Sequence, residues 1–368
     1  MSRSTTHVLQ PQTDHDGFSR RLAVLACKKA IRKVLETNLR QDYQQQVLPA
    51  LDGEPQCAAD IATHIEKLDS YRAWASATRA SQDRMWLLLA EQVDRDYGRI
   101  EEAAKRLQKS ASGTLQLDAH INMPRYMVEA NIHGQPGGYL MDRTAQDLAA
   151  GLLYEAGGNI YAMGQGIGKN DSKAERLIAF IRETLPDFQP RRILEMGCSA
   201  GGQSVDYPLS FPDAEFHAID LSPAMLRFAH VRSEALGKSV HFHQSDAAAT
   251  PFVDGSFDLV ISHNMFHEVA AEHMPAIMRE CLRLLAPGGV CLHQDVPTQT
   301  KRFDAWMQFI SEWQKEHNDE PFWLDFADAD LPALMVQAGF SEDQVKATYL
   351  QAVDGPIPWY VVMARKAS

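Results

Sequence analysis

Apolar residues in the first third of the chain recur at three- and four-residue steps. Val24, Cys27, Ile31, Val34 and Leu35 make one such series, and Leu89, Val93, Tyr97, Ile100, Ala104 and Leu107 make another. That spacing places side chains on one face of a helix. Pro49 and the Leu-Asp-Gly-Glu-Pro turn after it separate the first helix from the next. Residues 1–110 are therefore predicted to form a helical N-terminal domain. The segment from Ser112 to Gly138 carries Gly and Pro and reads as a connector, and residues 111–170 as a whole are predicted to cap an active site. From residue 171 to 368 the pattern changes. Short runs rich in Ile, Val and Phe (RRILEMG, AEFHAID, SVHFHQSD, FDLVISH, GVCLHQDV, WYVVMA) alternate with helical stretches at Ser172–Leu185, Pro223–Leu236 and Ala276–Leu285. Such alternation predicts an α/β fold, a Rossmann-like, doubly wound, mostly parallel sheet covered on both faces. Ligands of such sheets bind beyond the carboxyl ends of the strands, so the chemistry is expected just after each apolar run.

Composition narrows the class. The 368 residues are 45% hydrophobic and 23% charged, which is ordinary for globular proteins and sets aside disordered and collagen-like chains. A formal net charge of −12 argues against a general phosphate-backbone binder, so no nucleic-acid partner is expected. Residues 1–40 run the other way, with eight Lys or Arg against three acidic residues, in the broken pattern of a solvated amphipathic helix. The five cysteines, Cys27, Cys57, Cys198, Cys281 and Cys291, are far apart and include no Cys-x-x-Cys pair, so neither a disulfide framework nor a cysteine zinc site is expected. Together with a polar start and no long uncharged apolar run, this predicts a cytoplasmic protein without a membrane span.

The first strand end, Ile193-Leu-Glu-Met-Gly-Cys-Ser-Ala-Gly-Gly-Gln-Ser204, combines a strand, a glycine-bearing turn and a helix start. A dinucleotide fingerprint asks for Gly at 197, 199 and 202, but position 199 is Ser. Glu195 near the strand end suits a cationic or amine-bearing ligand better than a pyrophosphate. Asp220 closes the next strand, where a carboxylate can accept from two ribose hydroxyls. Asp246 ends the third strand beside the small Ala247, a pairing suited to an adenine amino group. The ordered set of three acidic strand ends is the strongest sign in the chain.

With these residues the sequence resembles the class I S-adenosylmethionine-dependent methyltransferases, and within them the ubiquinone/menaquinone-biosynthesis-like branch that acts on small molecules. The matching segments are LEMGCSAGG, AIDLSPAML, SDAAATPFVDGSFDLVISHNMFHEV and ECLRLLAPGGVCLHQD, over about residues 171–296. The resemblance implies S-adenosyl-L-methionine as cofactor, with Glu195, Gly197 and Gly201 around its methionine part and Asp220 on the ribose. It implies Asp246 and Ala247 at the adenine, and Leu221 and Met225 flanking the ring. Tyr161 and Gly164 are further candidates at the carboxylate end, and His263 is a candidate on the cofactor side as well as for catalysis. A non-catalytic regulator on the same fold and an NAD-dependent dehydrogenase are the competing readings.

Methyl transfer from a sulfonium needs mainly positioning and a dry cleft, and a base only when the nucleophile arrives protonated. Ser262-His-Asn-Met-Phe-His-Glu-Val269 follows the fourth strand, making His263, His267 and Glu268 the candidates for base or orienting group. His293 and Asp295 share one side of the fifth strand by two-residue alternation. Two segments are expected to close the acceptor pocket. One is RYMVEANIHGQPGGYL, with Arg125, Tyr126, His133 and Tyr139; the other is the 297–330 stretch, with Trp306, Phe309, Trp313, Phe322 and Trp323, whose spacing also suits a helix core. The expected partner is a small-molecule methyl acceptor, with a homodimer as a reasonable assembly and no metal.

Overall fold

The computed structural model describes residues 6–161, 173–297, 303–351 and 358–367. Its strands are β1 (Thr114–Gln116), β2 (Arg192–Met196), β3 (Glu215–Asp220), β4 (His241–Gln244), β5 (Phe257–His263), β6 (Leu285–Asp295), β7 (Val345–Leu350) and β8 (Trp359–Arg365). They form one sheet in the order β1-β4-β3-β2-β5-β6-β8-β7. The first six in that order run parallel, and β8 is antiparallel to both β6 and β7. From β2 the chain steps outward to β3 and β4, then returns to β5 on the other side of β2. The switch point of this doubly wound sheet therefore lies between β2 and β5.

The strands read as nearly unbroken apolar runs because both faces are covered. Ile193, Ala218 and Ile261 join one apolar cluster with Leu177, Ile178 and Ile181. Their neighbours Leu194, Ile219 and Val260 join another, with Met278, Cys281 and Met335 on the opposite face. The helices are α1 (His15–Ala30), α2 (Glu36–Asp42), α3 (Ala58–Ile65), α4 (Asp69–Gln108), α5 (Arg125–Glu129), α6 (Ala149–Tyr161) and α7 (Lys173–Thr184). They continue with α8 (Tyr207–Ser210), α9 (Pro223–Ala235), α10 (Met274–Leu284), α11 (Ala305–His317), α12 (Trp323–Ala327) and α13 (Leu331–Ala338). Helix α9 is buried on both sides. Leu226 and Ala229 face the sheet, whereas Met225, Phe228 and Val231 pack with Met85, Trp86 and Leu89 of α4 and Leu152 and Leu153 of α6. One apolar core thus joins the helical layer to the sheet. A buried polar link runs beside it, where Glu155 of α6 accepts from Arg232 Nε of α9 at 2.6 Å and pairs with His7 Nε2 at 3.0 Å.

Three local features differ from the expected pattern. The first helical series is interrupted by π turns at Ile31–Leu35 and Tyr43–Val47. Each widens the helix by part of a turn and rotates the apolar stripe, so Ile31 and Leu39 are buried while Val34 is 49% exposed and Cys27 is exposed. The expected connector contributes β1, which extends the sheet by pairing with β4. The aromatics of α11 do not face the strand ends: Trp306 lies 5.2 Å from the ring of Tyr43 and Trp313 lies 4.7 Å from Trp74, in a cluster with α2 and α3. No helix among the described residues is long and apolar enough to cross a membrane.

Candidate active site

The turn after β2 is built from left-handed backbone. Gly197 has φ +66°, Ser199 +43° and Gly201 +70°. A Cβ at Gly197 would stand 2.6 Å from Met265 Cγ, so only glycine fits there without displacing that side chain. Ser199 adopts a conformation that costs an L-residue about 1–2 kcal/mol, and its N–H donates to Asp220 Oδ2 at 2.8 Å. Asp220 Oδ1 accepts from Ser222 N at 2.9 Å, and Ser222 caps α9 by accepting from Met225 N. One carboxylate therefore ties the glycine turn to the start of the next helix.

Burial pushes the Asp220 carboxyl up to about 6, against the N–H bonds of Ser222 and Ser199 and with the help of the Glu268 charge. Glu195 is 1% exposed and accepts from Ser204 Oγ. Burial raises it to about 8, Ser204 opposes the shift, and the charges of Asp206 and Asp220 add to it. Two carboxylates that resist ionisation side by side make a pocket short of a positive charge.

Asp246 sits two residues past β4, where its Oδ1 accepts from Ala248 N at 2.8 Å. Ala247 packs, partly buried, against the cluster on the α10 face. Leu221 is buried, and its carbonyl accepts from Gln244 Nε2. Met225 belongs to the core between α9 and the helical layer. Gly164 and the side chain of Tyr161 lie outside the described residues.

On the other side of β2, the loop after β5 turns through a short 3-10 segment, Phe266–Glu268. Asp295, the last residue of β6, accepts from Phe266 N at 2.8 Å and lies 2.6 Å from His267 Nδ1. With the Nδ1 proton donated to Asp295, His267 Nε2 is the basic nitrogen; it stands 3.8 Å from Glu268 Oε1. Burial disfavours the charged ring, but Asp295 and then Glu268 override it, so His267 ends above its ordinary pKa. Glu268 Oε1 accepts from Tyr139 OH at 3.1 Å and lies 3.4 Å from His133 Nε2. Those contacts and the His267 charge outweigh burial and hold Glu268 below the usual carboxylate range. The other nitrogen of His133 is 2.5 Å from Glu320 Oε1. Burial lowers His133, but the two carboxylates prevail and bring it to about 10. Trp323 presents an edge-to-face contact to His267 at 5.7 Å, and Phe322 does the same to Tyr126 at 5.5 Å.

The two halves lie close enough for their charges to act on shared neighbours. Burial and the charges of Asp246, Asp220 and Glu268 all raise Tyr126, so its hydroxyl lies among both carboxylate sets. Tyr154 is raised by burial and Glu268, shares a hydrogen bond with Ser199, and also feels Asp220. Ser222 Oγ donates to the Tyr139 carbonyl at 2.6 Å, pinning the 125–139 segment beside the cofactor-side turn.

His263 has hydrogen-bond partners of its own. Ser262 and His263 leave opposite faces of β5, and His263 meets Tyr207 OH at 2.8 Å and Gln294 Oε1 at 3.0 Å. His293 turns toward Ser262 and the thiols of Cys281 and Cys291. Glu320 and Tyr154 escaped the sequence reading: each lies in an unremarkable stretch, and only the folded chain sets them against His133 and Ser199.

Residues 193–289 match the family described as "Methyltransferase domain". This part of the chain is similar to methyltransferase domains. The sheet it belongs to is doubly wound and mostly parallel, as expected. Among curated proteins, the chain is 31% identical over 131 residues to a probable phthiotriol/phenolphthiotriol dimycocerosates methyltransferase 2 of Mycobacterium ulcerans, covering 36% of this chain and 46% of that one. It is 35% identical over 112 residues to a demethylmenaquinone methyltransferase of Thermus thermophilus, covering 30% and 50%. It is 37% identical over 116 residues to a malonyl-[acyl-carrier protein] O-methyltransferase of Methylococcus capsulatus, covering 31% and 40%. The chain spans about half or less of the length of these relatives.

Proposed function

We propose that this protein is an S-adenosylmethionine-dependent methyltransferase that methylates a protic nucleophile of a small-molecule acceptor. The observation that carries the reading is that buried carboxylates behind a left-handed glycine turn lie within reach of the charge of Glu268, beside a His267–Asp295 dyad. The carboxylates disfavour a pyrophosphate and gain when a cation or a hydroxyl donor joins them. Each Asp220 oxygen already holds one backbone N–H and keeps accepting capacity for a ribose hydroxyl. In this reading Asp246 and Ala247 meet the adenine, Leu221 borders it, and Glu195, Gly197 and Gly201 enclose the methionine end. Tyr161 remains a candidate there.

When bound, the cofactor supplies a methyl group activated by its sulfonium. The chain supplies the rest. His267 Nε2 takes the proton of the attacking hydroxyl or amine, while Asp295 fixes the tautomer and balances the imidazolium. Glu268, kept ionised by His133 and Tyr139, orients the acceptor. Tyr126, Phe322 and Trp323 keep water from the cleft. Calorimetric titration with S-adenosylhomocysteine and, separately, with NADH tests the reading: binding of the first alone is expected, whereas preference for NADH would sink it.

A further inference from the structure

We infer that Cys281, Cys291 and His293 form a closed binding site for a thiophilic divalent cation, zinc, on the α10 face of the sheet. The cysteine spacing hides this set, since Cys281 lies on α10 and Cys291 ten residues on, in β6. The fold reunites them. Cys291 and His293 share one face of β6, and α10 lays Cys281 over that face. All three side chains are at most 1% exposed, and their donor atoms lie within 4.8 Å of one another. His293 Nε2 is 2.9 Å from Cys291 Sγ and 3.7 Å from Cys281 Sγ. Met196 Sδ, a further soft donor, is 3.7 Å from Cys281 Sγ. Zinc bonds of about 2.3 Å to sulfur and 2.0–2.1 Å to nitrogen give tetrahedral edges of about 3.8 Å for S–S and 3.6 Å for S–N. Two of the observed separations already sit near those edges, and the Cys291–His293 contact has only to open by part of an ångström.

The imidazole is oriented for the task. Its Nδ1 meets Ser262 Oγ at 2.8 Å, the outer hydrogen bond that fixes a ligating tautomer and leaves Nε2 to the metal. On binding, both sulfurs are thiolates, the displaced thiol protons leave to solvent, and His293 stays neutral. Two negative sulfurs then balance one divalent cation, so a neutral unit sits in the apolar core, where an unbalanced charge would be costly. A monovalent ion would leave a buried negative charge.

The test is metal content, which needs neither cofactor nor acceptor and so stands or falls apart from the methyltransferase reading. Protein purified from zinc-supplemented cells and dialysed against chelator is expected to hold about one zinc per chain, released on unfolding in urea with a chromogenic chelator. Cys281→Ser and Cys291→Ser are expected to fall below roughly a tenth of that, and Cys57→Ser to keep it. Because core variants can misfold, the unaltered protein grown with cobalt gives a second readout: thiolate-to-cobalt charge-transfer absorption with a tetrahedral ligand-field spectrum. Zinc-free protein from zinc-replete cells, zinc retained by both cysteine variants, or stoichiometric copper(I) instead of zinc would each overturn the assignment.

Discussion

On the proposed reading, the cofactor side and the acceptor side of the site are built by different rules. On the cofactor side each functional group lies within a few residues of its own strand: Gly197 after β2, Asp220 at the end of β3, Asp246 just past β4. Neighbouring backbone holds these groups, with the N–H bonds of Ser199 and Ser222 on Asp220. On the acceptor side the group is assembled from distant segments. His133 and Tyr139 come from the 125–139 stretch, His267 and Glu268 from the loop after β5, Asp295 from β6, and Glu320 and Trp323 from the turn into α12. Side chains hold one another there, largely through charge. A local frame preserves one ligand chemistry while the surrounding chain varies, whereas a frame of paired side chains can be retuned one residue at a time.

If that contrast is real, acceptor-side changes should damage turnover without touching cofactor binding. The largest effect is expected for His267→Ala: kcat should fall by ~10²–10⁴-fold, the range of a positioned base, in a methyl-transfer assay once an acceptor is found. An unchanged kcat would remove His267 from the chemistry. Asp295→Asn sharpens the same point through pH. The neutral ring is the active form, so kcat rises as pH climbs through the pKa of His267, which Asp295 and Glu268 hold above its ordinary value. Removing the carboxylate charge lowers that pKa, so the acid limb of the kcat profile should move to lower pH, with a loss on the order of tenfold at the plateau. A limb that stays in place would give Asp295 a purely structural role.

The smallest expected effect is on stability and comes from the cofactor side. Glu195 rises from an ordinary 4.5 to about 8 in the ligand-free fold, so the folded state holds a proton that the unfolded state releases. That contribution is fully present below the unfolded pKa and is lost as pH rises through the folded one. The melting temperature of the unaltered protein should therefore drop between pH 5 and 9 by a few degrees more than that of Glu195→Gln. Parallel curves would show that Glu195 ionises freely.

The same contrast explains what could be read in the sequence. Gly197, Gly201, Asp220 and Asp246 were legible because strand, turn and acidic residue are adjacent along the chain. Ser199 shows how far that goes: the fingerprint position lacks glycine, yet the backbone takes the left-handed conformation all the same. His267 and Glu268 were legible as residues after a strand and Asp295 as one on the next, but their hydrogen bonds were not. His263 was legible as the last residue of its strand, but its contacts with Tyr207 and Gln294 were not. Glu320 carried no local sign at all, and neither did the three-residue edge strand β1. The aromatics of α11 had core spacing and lid spacing at once, and the helical layer decided for the core.

The most direct test of the contrast is calorimetric titration of S-adenosylhomocysteine into Asp220→Ala and His267→Ala beside the unaltered protein. The account predicts at least tenfold weaker binding for Asp220→Ala, about 1.4 kcal/mol, and unchanged affinity for His267→Ala. Equal weakening in both, or no binding to the unaltered protein, would contradict it.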